Sequence, residues 1–149
     1  MAKTFMRRIG SERGTALLEA AITLPLILLV SVAIFEFGRA FQTWEVLTNA
    51  AREGARVAVL PSSTAADASA RAKTYLDSGQ LVGANATITV TPTTIPIGAG
   101  NASASKVTVN YPFQFMVLQP VANLVVRGSQ LGAPITMSAS AEMRNESQN

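Results

Sequence analysis

A long apolar run near the N-terminus constrains this chain more than any other feature. The twenty residues from Ala16 to Phe35 carry a single charge, on Glu19. A helix of twenty residues rises about 30 Å, which matches the thickness of a bilayer's hydrocarbon core. The sequence therefore predicts one membrane-spanning helix with a short tail on one side and a small soluble head on the other.

The net charge of +3 is concentrated before this run. Four basic residues and one acid precede residue 15, whereas the other eight Lys/Arg and eight Asp/Glu cancel. Cytoplasmic flanks of membrane helices are enriched in Lys and Arg, so we expect a cytoplasmic N-terminus. Basic residues do not form a stripe with interleaved aromatics elsewhere, so nucleic-acid binding is not expected.

The composition excludes several kinds of chemistry. The chain contains no cysteine and no histidine, which rules out disulfides, Ser-His-Asp triads and His-based metal sites. Its nine acidic residues are spread from Glu12 to Glu146 without the spacing of a calcium loop. We therefore expect no enzymatic activity, no metal site and no cofactor.

Glu19 is unusual because a spanning helix does not need a carboxylate. Such a group costs up to about 3 kcal/mol at the bilayer centre and less near a helix end. One interpretation is that Glu19 lies near the cytoplasmic headgroups and extends toward them. The other connects it with Gly14, five residues earlier, because Gly-x4-Glu in a long apolar helix is typical of prepilins.

Four motifs occur in order over about residues 13–60. They are Arg13-Gly-Thr-Ala-Leu-Leu-Glu19, Leu24-Pro-Leu-Ile-Leu-Leu29, Glu36-Phe-Gly-Arg39 and Asn49-Ala-Ala-Arg-Glu-Gly-Ala-Arg56. Together they resemble the TadE/TadG-like minor pilins, or pseudopilins, of the tight-adherence (Tad/Flp) type IV pilus system.

The resemblance implies a specific processing and assembly route. A prepilin peptidase would cut between Gly14 and Thr15, and Glu19 would then pair with the new α-amine of Thr15 in a neighbouring subunit and set the register. Type IV pilins commonly begin with a methylated Phe, and Thr15 departs from that pattern. The implied partners are the peptidase, other pilin subunits, the inner-membrane assembly platform and the lipid bilayer.

The implied location is the bacterial inner membrane, with a single span and a periplasmic head, and incorporation into an extracellular pilus follows from the same resemblance. The alternative function is an uncleaved, single-pass envelope binding module anchored by the same helix. A cleaved secretory signal is disfavoured, because the apolar run is long and the nearest cleavage sequence, Phe37-Gly-Arg-Ala40, is poor.

The helical pattern continues past the membrane to Leu60. We therefore divide the chain into a basic leader (1–14), a membrane part (15–38), an amphipathic extension (39–60) and a head (61–149). Glu36 and Arg39 would mark the outer membrane boundary, either paired with each other or anchored at the headgroups. Pro25 would kink the helix.

The extension has two faces at helical spacing. Its polar face comprises Arg39, Gln42, Glu45, Asn49, Arg52, Glu53 and Arg56; its apolar face comprises Phe37, Phe41, Trp44, Leu47, Ala51, Ala55 and Ala58. We expect Trp44 to lie in the core. The small residues Ala50, Ala51, Gly54 and Ala55 permit close packing, either on the head's own sheet or on a neighbouring helix.

The sequence of the head predicts a short helix and three strands. Thr64 and Asp67 form a capping box for a helix over about 65–77. Period-two alternation predicts strands near 86–91, 107–113 and 135–143, and a long loop after residue 91. The fold class is therefore α+β and pilin-like: a long N-terminal helix packed on a small antiparallel sheet.

The apolar stretch from Phe113 to Val126 fits neither period and is too short to span a bilayer. It is either a buried crossover or short helix, or an exposed patch for a partner subunit or the membrane surface. The patch would comprise Phe113, Phe115, Met116 and Leu118.

Overall fold

The computed structural model describes residues 11–98, 100–125, 127–128 and 130–146. In chain order the elements are α1 (Ser11–Ala58), α2 (Ala65–Ser78), a 3-10 turn (Gly83–Asn85), β1 (Thr87–Ile97), β2 (Gly100–Phe113), α3 (Leu118–Val125) and β3 (Ile135–Arg144). The long helix packs on a three-stranded antiparallel sheet, which confirms the α+β class. Most of the predicted leader, residues 1–10, lies outside the described residues.

Helix α1 is continuous over 48 residues, including Pro25, and is therefore about 72 Å long. The apolar residues of its first half are exposed: Leu17 is 72% exposed, Ile22 68% and Leu28 63%. Such a surface is unfavourable in water and suits a lipid environment.

The sheet has the order β1-β2-β3, and both pairings are antiparallel. Val107 of β2 lies opposite Val90 of β1 and Ala141 of β3. Because side chains alternate across a strand, the same face of all three strands carries the apolar residues. That face packs on α1 and α2.

The first hairpin is longer than predicted. The sequence predicts a loop over residues 91–103, but β1 continues to Ile97, which pairs with Gly100 at the start of β2. Pro92 and Pro96 are tolerated because β1 is an edge strand and a proline nitrogen facing outward costs no ladder bond. Gly98 begins the turn with φ +56°, a conformation that glycine adopts without strain.

Helix α2 forms where its capping box predicts. The hydroxyl of Thr64 accepts a hydrogen bond from the backbone N–H of Asp67, and the Asp67 carboxylate accepts one from the backbone N–H of Thr64. Its buried residues, Ala68, Ala72 and Leu76, recur every four residues and face α1 and the sheet. Full burial of a leucine side chain such as Leu76 stabilises a fold by about 1.5–3 kcal/mol.

The predicted apolar face of α1 is only partly buried. Phe37 is 65% exposed, Phe41 59% and Trp44 47%, so the prediction that Trp44 lies in the core is wrong. Leu47, Ala51 and Ala55 of that face are buried as predicted, and the buried surface also includes Ala50 and Gly54. The sheet and α2 cover the small residues of α1 rather than its aromatic ones.

Candidate functional site

The residues of the predicted processing site lie in the N-terminal part of α1. A Cβ built on Gly14 would meet no atom within 4 Å. Thr15 and Glu19 are exposed. Gly14 and Glu19 are separated by about 7.5 Å along the helix axis. Both are therefore accessible to another protein on a helix surface that the head does not cover.

Among the described residues, one helix is long and apolar enough to cross a membrane, and this stretch runs over Gly14–Ala58. Its exposed apolar part begins next to Gly14 and ends near Glu36. Gly14 and Glu36 consequently lie at opposite ends of the apolar segment, separated by about 33 Å of helix.

Glu36 is fully buried, although the sequence predicts it only as a membrane-boundary residue. One carboxylate oxygen, Oε1, accepts a hydrogen bond of 2.6 Å from the backbone N–H of Val117, which immediately precedes α3. The other, Oε2, is 2.9 Å from Nη1 of Arg39, so the expected pair of Glu36 and Arg39 is present. A carboxylate at a helix N-terminus is stabilised by the helix dipole and by the exposed amides there.

Arg39 connects Glu36 with the end of β2. Its guanidinium carbon lies 5.3 Å from the ring centroid of Phe113, within the range of a cation–π contact. The Phe113 ring in turn meets the Phe115 ring edge to face at 5.2 Å. These contacts make a cluster of α1, β2 and the residues before α3. The pair of Glu36 and Arg39 can be predicted from the sequence, because the two residues are three positions apart. The contact of Glu36 with the backbone N–H of Val117 cannot, because Val117 is 81 positions further along the chain.

The proposed apolar patch is only partly exposed. Phe113 is 3% exposed, so its assignment to an exposed patch is wrong; it is buried because its ring packs under Arg39 and against Phe115. Met116 is 64% exposed, whereas Phe115 and Leu118 are half-buried. The segment that follows forms the short helix α3, in agreement with one of the two expected alternatives.

Helix α3 lies beside the apolar half of α1. Leu118 and Val121 of α3 line one wall of an open apolar groove. The other wall is formed by α1, with Pro25, Leu26, Leu28, Leu29 and Val32.

The small residues of α1 pack inside the chain's own head. Ala50, Ala51 and Ala55 are fully buried. A Cβ added at Gly54 would lie 3.1 Å from Cγ1 of Val107 and 3.2 Å from Cβ of Ala72, so α1 approaches both the sheet and α2 closely. These four positions are therefore covered by α2 and the sheet, and a neighbouring helix does not reach them in this fold.

Glu53 of α1 pairs with two arginines, Arg56 on the same helix and Arg71 on α2, and the pair with Arg71 joins the two helices. Oε2 of Glu53 lies 3.1 Å from Nη2 of Arg71, and Oε1 lies 3.0 Å from Nη1 of Arg56. The hydrogen bonds from Arg71 and Arg56 hold the pKa of Glu53 below its ordinary value. Within the described part of the chain, no group of three or more His, Cys, Asp or Glu side chains could hold a metal ion.

Comparison with known proteins gives a family match for the N-terminal helix. A family model described as TadE-like protein matches residues 14–56, nearly the whole of α1 from Gly14 onward. Neither the curated proteins nor the solved structures include a detectable match. The matched family is a pilus-associated structural family that is not known as enzymatic, so the match suggests a protein associated with the Tad pilus. Residues 14–56 thus form a TadE-like region, consistent with a protein of the TadE/TadG-like family.

Proposed function

We propose that this chain is a minor pilin or pseudopilin that is cleaved after Gly14 and takes part in assembling a tight-adherence pilus, by priming, capping or incorporation. The observation that carries the proposal is the TadE-like match beginning at Gly14, on a helix whose first, apolar half is exposed. The leader would comprise residues 1–14, the spanning part 15–38, the extension 39–60 and the head 61–149.

The position of Gly14 supports cleavage by a membrane peptidase. Gly14 and Thr15 are exposed, and a Cβ built on Gly14 would meet no atom within 4 Å. The head therefore leaves the bond between these two residues accessible to a peptidase.

The exposure of Glu19 supports a role in assembly. A carboxylate that faces apolar surroundings is stabilised by a positive partner, and removing one member of a buried pair is strongly destabilising. Cleavage would create such a partner, the α-amine of Thr15 in an adjacent subunit. Processing would then be coupled to incorporation, because the amine does not exist at that position before the cut.

The proposed orientation places the N-terminus in the cytoplasm and the head in the periplasm, as the basic residues before Gly14 favour. The partners would be the prepilin peptidase, other pilin subunits with the assembly platform, and the bilayer. The buried small residues of α1 are used within the head, so lateral contacts with other pilins would involve the exposed apolar half of the helix.

Intact mass and N-terminal sequencing test the proposal. The full chain is expressed with and without a cognate prepilin peptidase, together with the variants Gly14→Ala and Gly38→Ala. Both glycines lie on α1, and a Cβ at either position meets no atom within 4 Å, so Gly38→Ala is a matched control.

We expect a new N-terminus at Thr15 only with the peptidase, loss of this product in Gly14→Ala, and normal processing of Gly38→Ala. An unprocessed chain in the presence of an active peptidase would contradict the proposal. It would favour the alternative, an anchored envelope binding module.

A further inference from the structure

Helix α3 lies alongside the part of α1 that would be inside the membrane. Glu36 contacts the residue just before α3, and Leu118 and Val121 face the stretch of α1 from Pro25 to Val32. Pro25 precedes Glu36 by eleven residues, which is about 16 Å of helix. Helix α3 therefore extends from the level of Glu36 toward the middle of the apolar segment.

The chemistry of this segment fits that position. From Phe113 to Val126 the sequence has no charged residue, and Arg127 follows immediately. Met116 is 64% exposed, and the wall of α1 that faces α3 is also apolar and exposed, with Leu26 at 60% and Leu28 at 63%. The two helices together present one continuous apolar surface rather than two separate patches.

The start of α3 is also compatible with an apolar environment. Unsatisfied backbone N–H groups at a helix start cost several kcal/mol each in hydrocarbon. The carboxylate of Glu36 accepts a hydrogen bond from the N–H of Val117, and Arg39 neutralises its charge. The groups that are costly in hydrocarbon, the N–H of Val117 and the Glu36 carboxylate, are therefore paired with each other and with Arg39.

We propose that α3, with the residues from Phe115 to Val117, is immersed in the outer leaflet of the bilayer beside α1 and holds the head against the membrane. The occupant of the groove between α3 and α1 is then a lipid acyl chain. Lipid is the expected occupant because one wall of the groove belongs to the membrane-spanning helix itself, so the groove is continuous with the surface that faces the bilayer. This inference rests on the span in the proposed function and is independent of cleavage at Gly14.

Environment-sensitive labelling tests this placement, and the absence of native cysteine makes single-site labelling direct. Cysteines are introduced singly by Met116→Cys and Pro120→Cys, both exposed positions, and each is labelled with the fluorophore NBD. Ile27→Cys is the reference within the span, and Thr94→Cys, exposed on β1, is the reference in the head. The full chain is reconstituted in phosphatidylcholine/phosphatidylglycerol vesicles with or without spin-labelled lipid, and folding of each variant is checked by circular dichroism.

We expect the probes at 116 and 120 to resemble the probe at 27: blue-shifted emission, quenching by spin-labelled lipid, and loss of quenching by iodide in water. The probe at 94 should show the opposite pattern. Iodide quenching at 116 and 120 equal to that at 94 would overturn the inference.

Two other outcomes would also overturn it. If the probes at 116 and 120 are shielded from iodide but not quenched by lipid, or if the unlabelled cysteines form disulfide-linked dimers, then a second copy of the chain covers the surface. If the probe at 27 is not quenched by lipid either, the span itself is wrong. Processing at Gly14 is measured separately by mass, so failure of this inference is distinguishable from failure of the proposed function.

Discussion

The Glu36 carboxylate accepts a hydrogen bond from the backbone N–H of Val117, a residue 81 positions further along the chain. This contact joins the outer end of the apolar helix to the start of α3. It also explains how a fully buried acid is tolerated: one oxygen binds the amide and the other the guanidinium of Arg39. Buried charges are stable in proteins only when they are paired and hydrogen-bonded in this way.

Replacing Glu36 should therefore release α3. We expect Glu36→Ala to lower the free energy of unfolding by about 1–3 kcal/mol, because the N–H of Val117 is left without its acceptor. Glu36→Gln keeps an acceptor oxygen and should cost less. Hydrogen exchange of the Val117–Val121 amides in detergent micelles is the measurement, with the exposed Glu45→Ala as control. Unchanged exchange in Glu36→Ala would show that the contact does not hold α3.

Glu19→Ala is expected to separate membrane insertion from assembly. Insertion should be unchanged, because removing a carboxylate from an apolar segment lowers the cost of burial there. Incorporation into the pilus should be lost, because the α-amine of the adjacent subunit would have no partner. Carbonate extraction of membranes and immunoblotting of sheared pili measure the two steps. Glu45→Ala, outside the apolar run on the same helix, should leave both unchanged, and normal incorporation of Glu19→Ala would disprove the pairing.

Gly54→Val should destabilise the head. Even the first added carbon would lie 3.1 Å from Val107 and 3.2 Å from Ala72, and the further methyl groups of valine have less space. Overpacking of a core typically costs about 1–3 kcal/mol. Gly38→Ala is the matched substitution on the same helix without neighbours, and should be neutral or stabilising by up to about 1 kcal/mol. Thermal unfolding followed by circular dichroism in detergent compares the two; equal melting temperatures would contradict the packing described for Gly54.

The Glu53 cluster should make stability depend on pH in the acid range. The hydrogen bonds from Arg71, and then from Arg56, lower the pKa of Glu53 in the folded state below the ordinary glutamate value of about 4.3. A carboxyl group with a depressed folded pKa contributes stability that is present above the unfolded pKa. That contribution is lost as the pH falls through the folded pKa.

We therefore expect the wild type to be more stable than Glu53→Gln near neutral pH and the difference to disappear in acid below the folded pKa. The hydrogen bond from the Thr64 hydroxyl also lowers the pKa of Asp67, so the total pH dependence includes that group. Comparing the melting temperatures of the two proteins at each pH isolates the part due to Glu53. A difference that stays constant from neutral to acid pH would exclude the ion pairs as its cause.

Local features of the sequence determined most of the elements of this protein. The apolar run from Ala16 to Phe35, in which Glu19 is the single charged residue, predicts a membrane-spanning helix because its length and composition match those of a bilayer core. The capping box of Thr64 and Asp67 predicts the start of α2 because both hydrogen bonds lie within four residues. The alternation of apolar and polar residues predicts all three strands. The prolines of β1 are typical of a loop, so the half of the first hairpin next to its turn was not predicted.

Only the tertiary structure decided which surfaces are covered. The aromatic residues Phe37, Phe41 and Trp44 are apolar, as core residues usually are, but they are exposed. The reason is that α2 and the sheet approach α1 along Leu47, Ala50 and Gly54. Small side chains allow closer approach of backbones than aromatic rings, and a helical period does not reveal which apolar arc will be covered. The burial of Phe113 and the capping of α3 by Glu36 likewise depend on contacts between residues more than 70 positions apart, which no local pattern encodes.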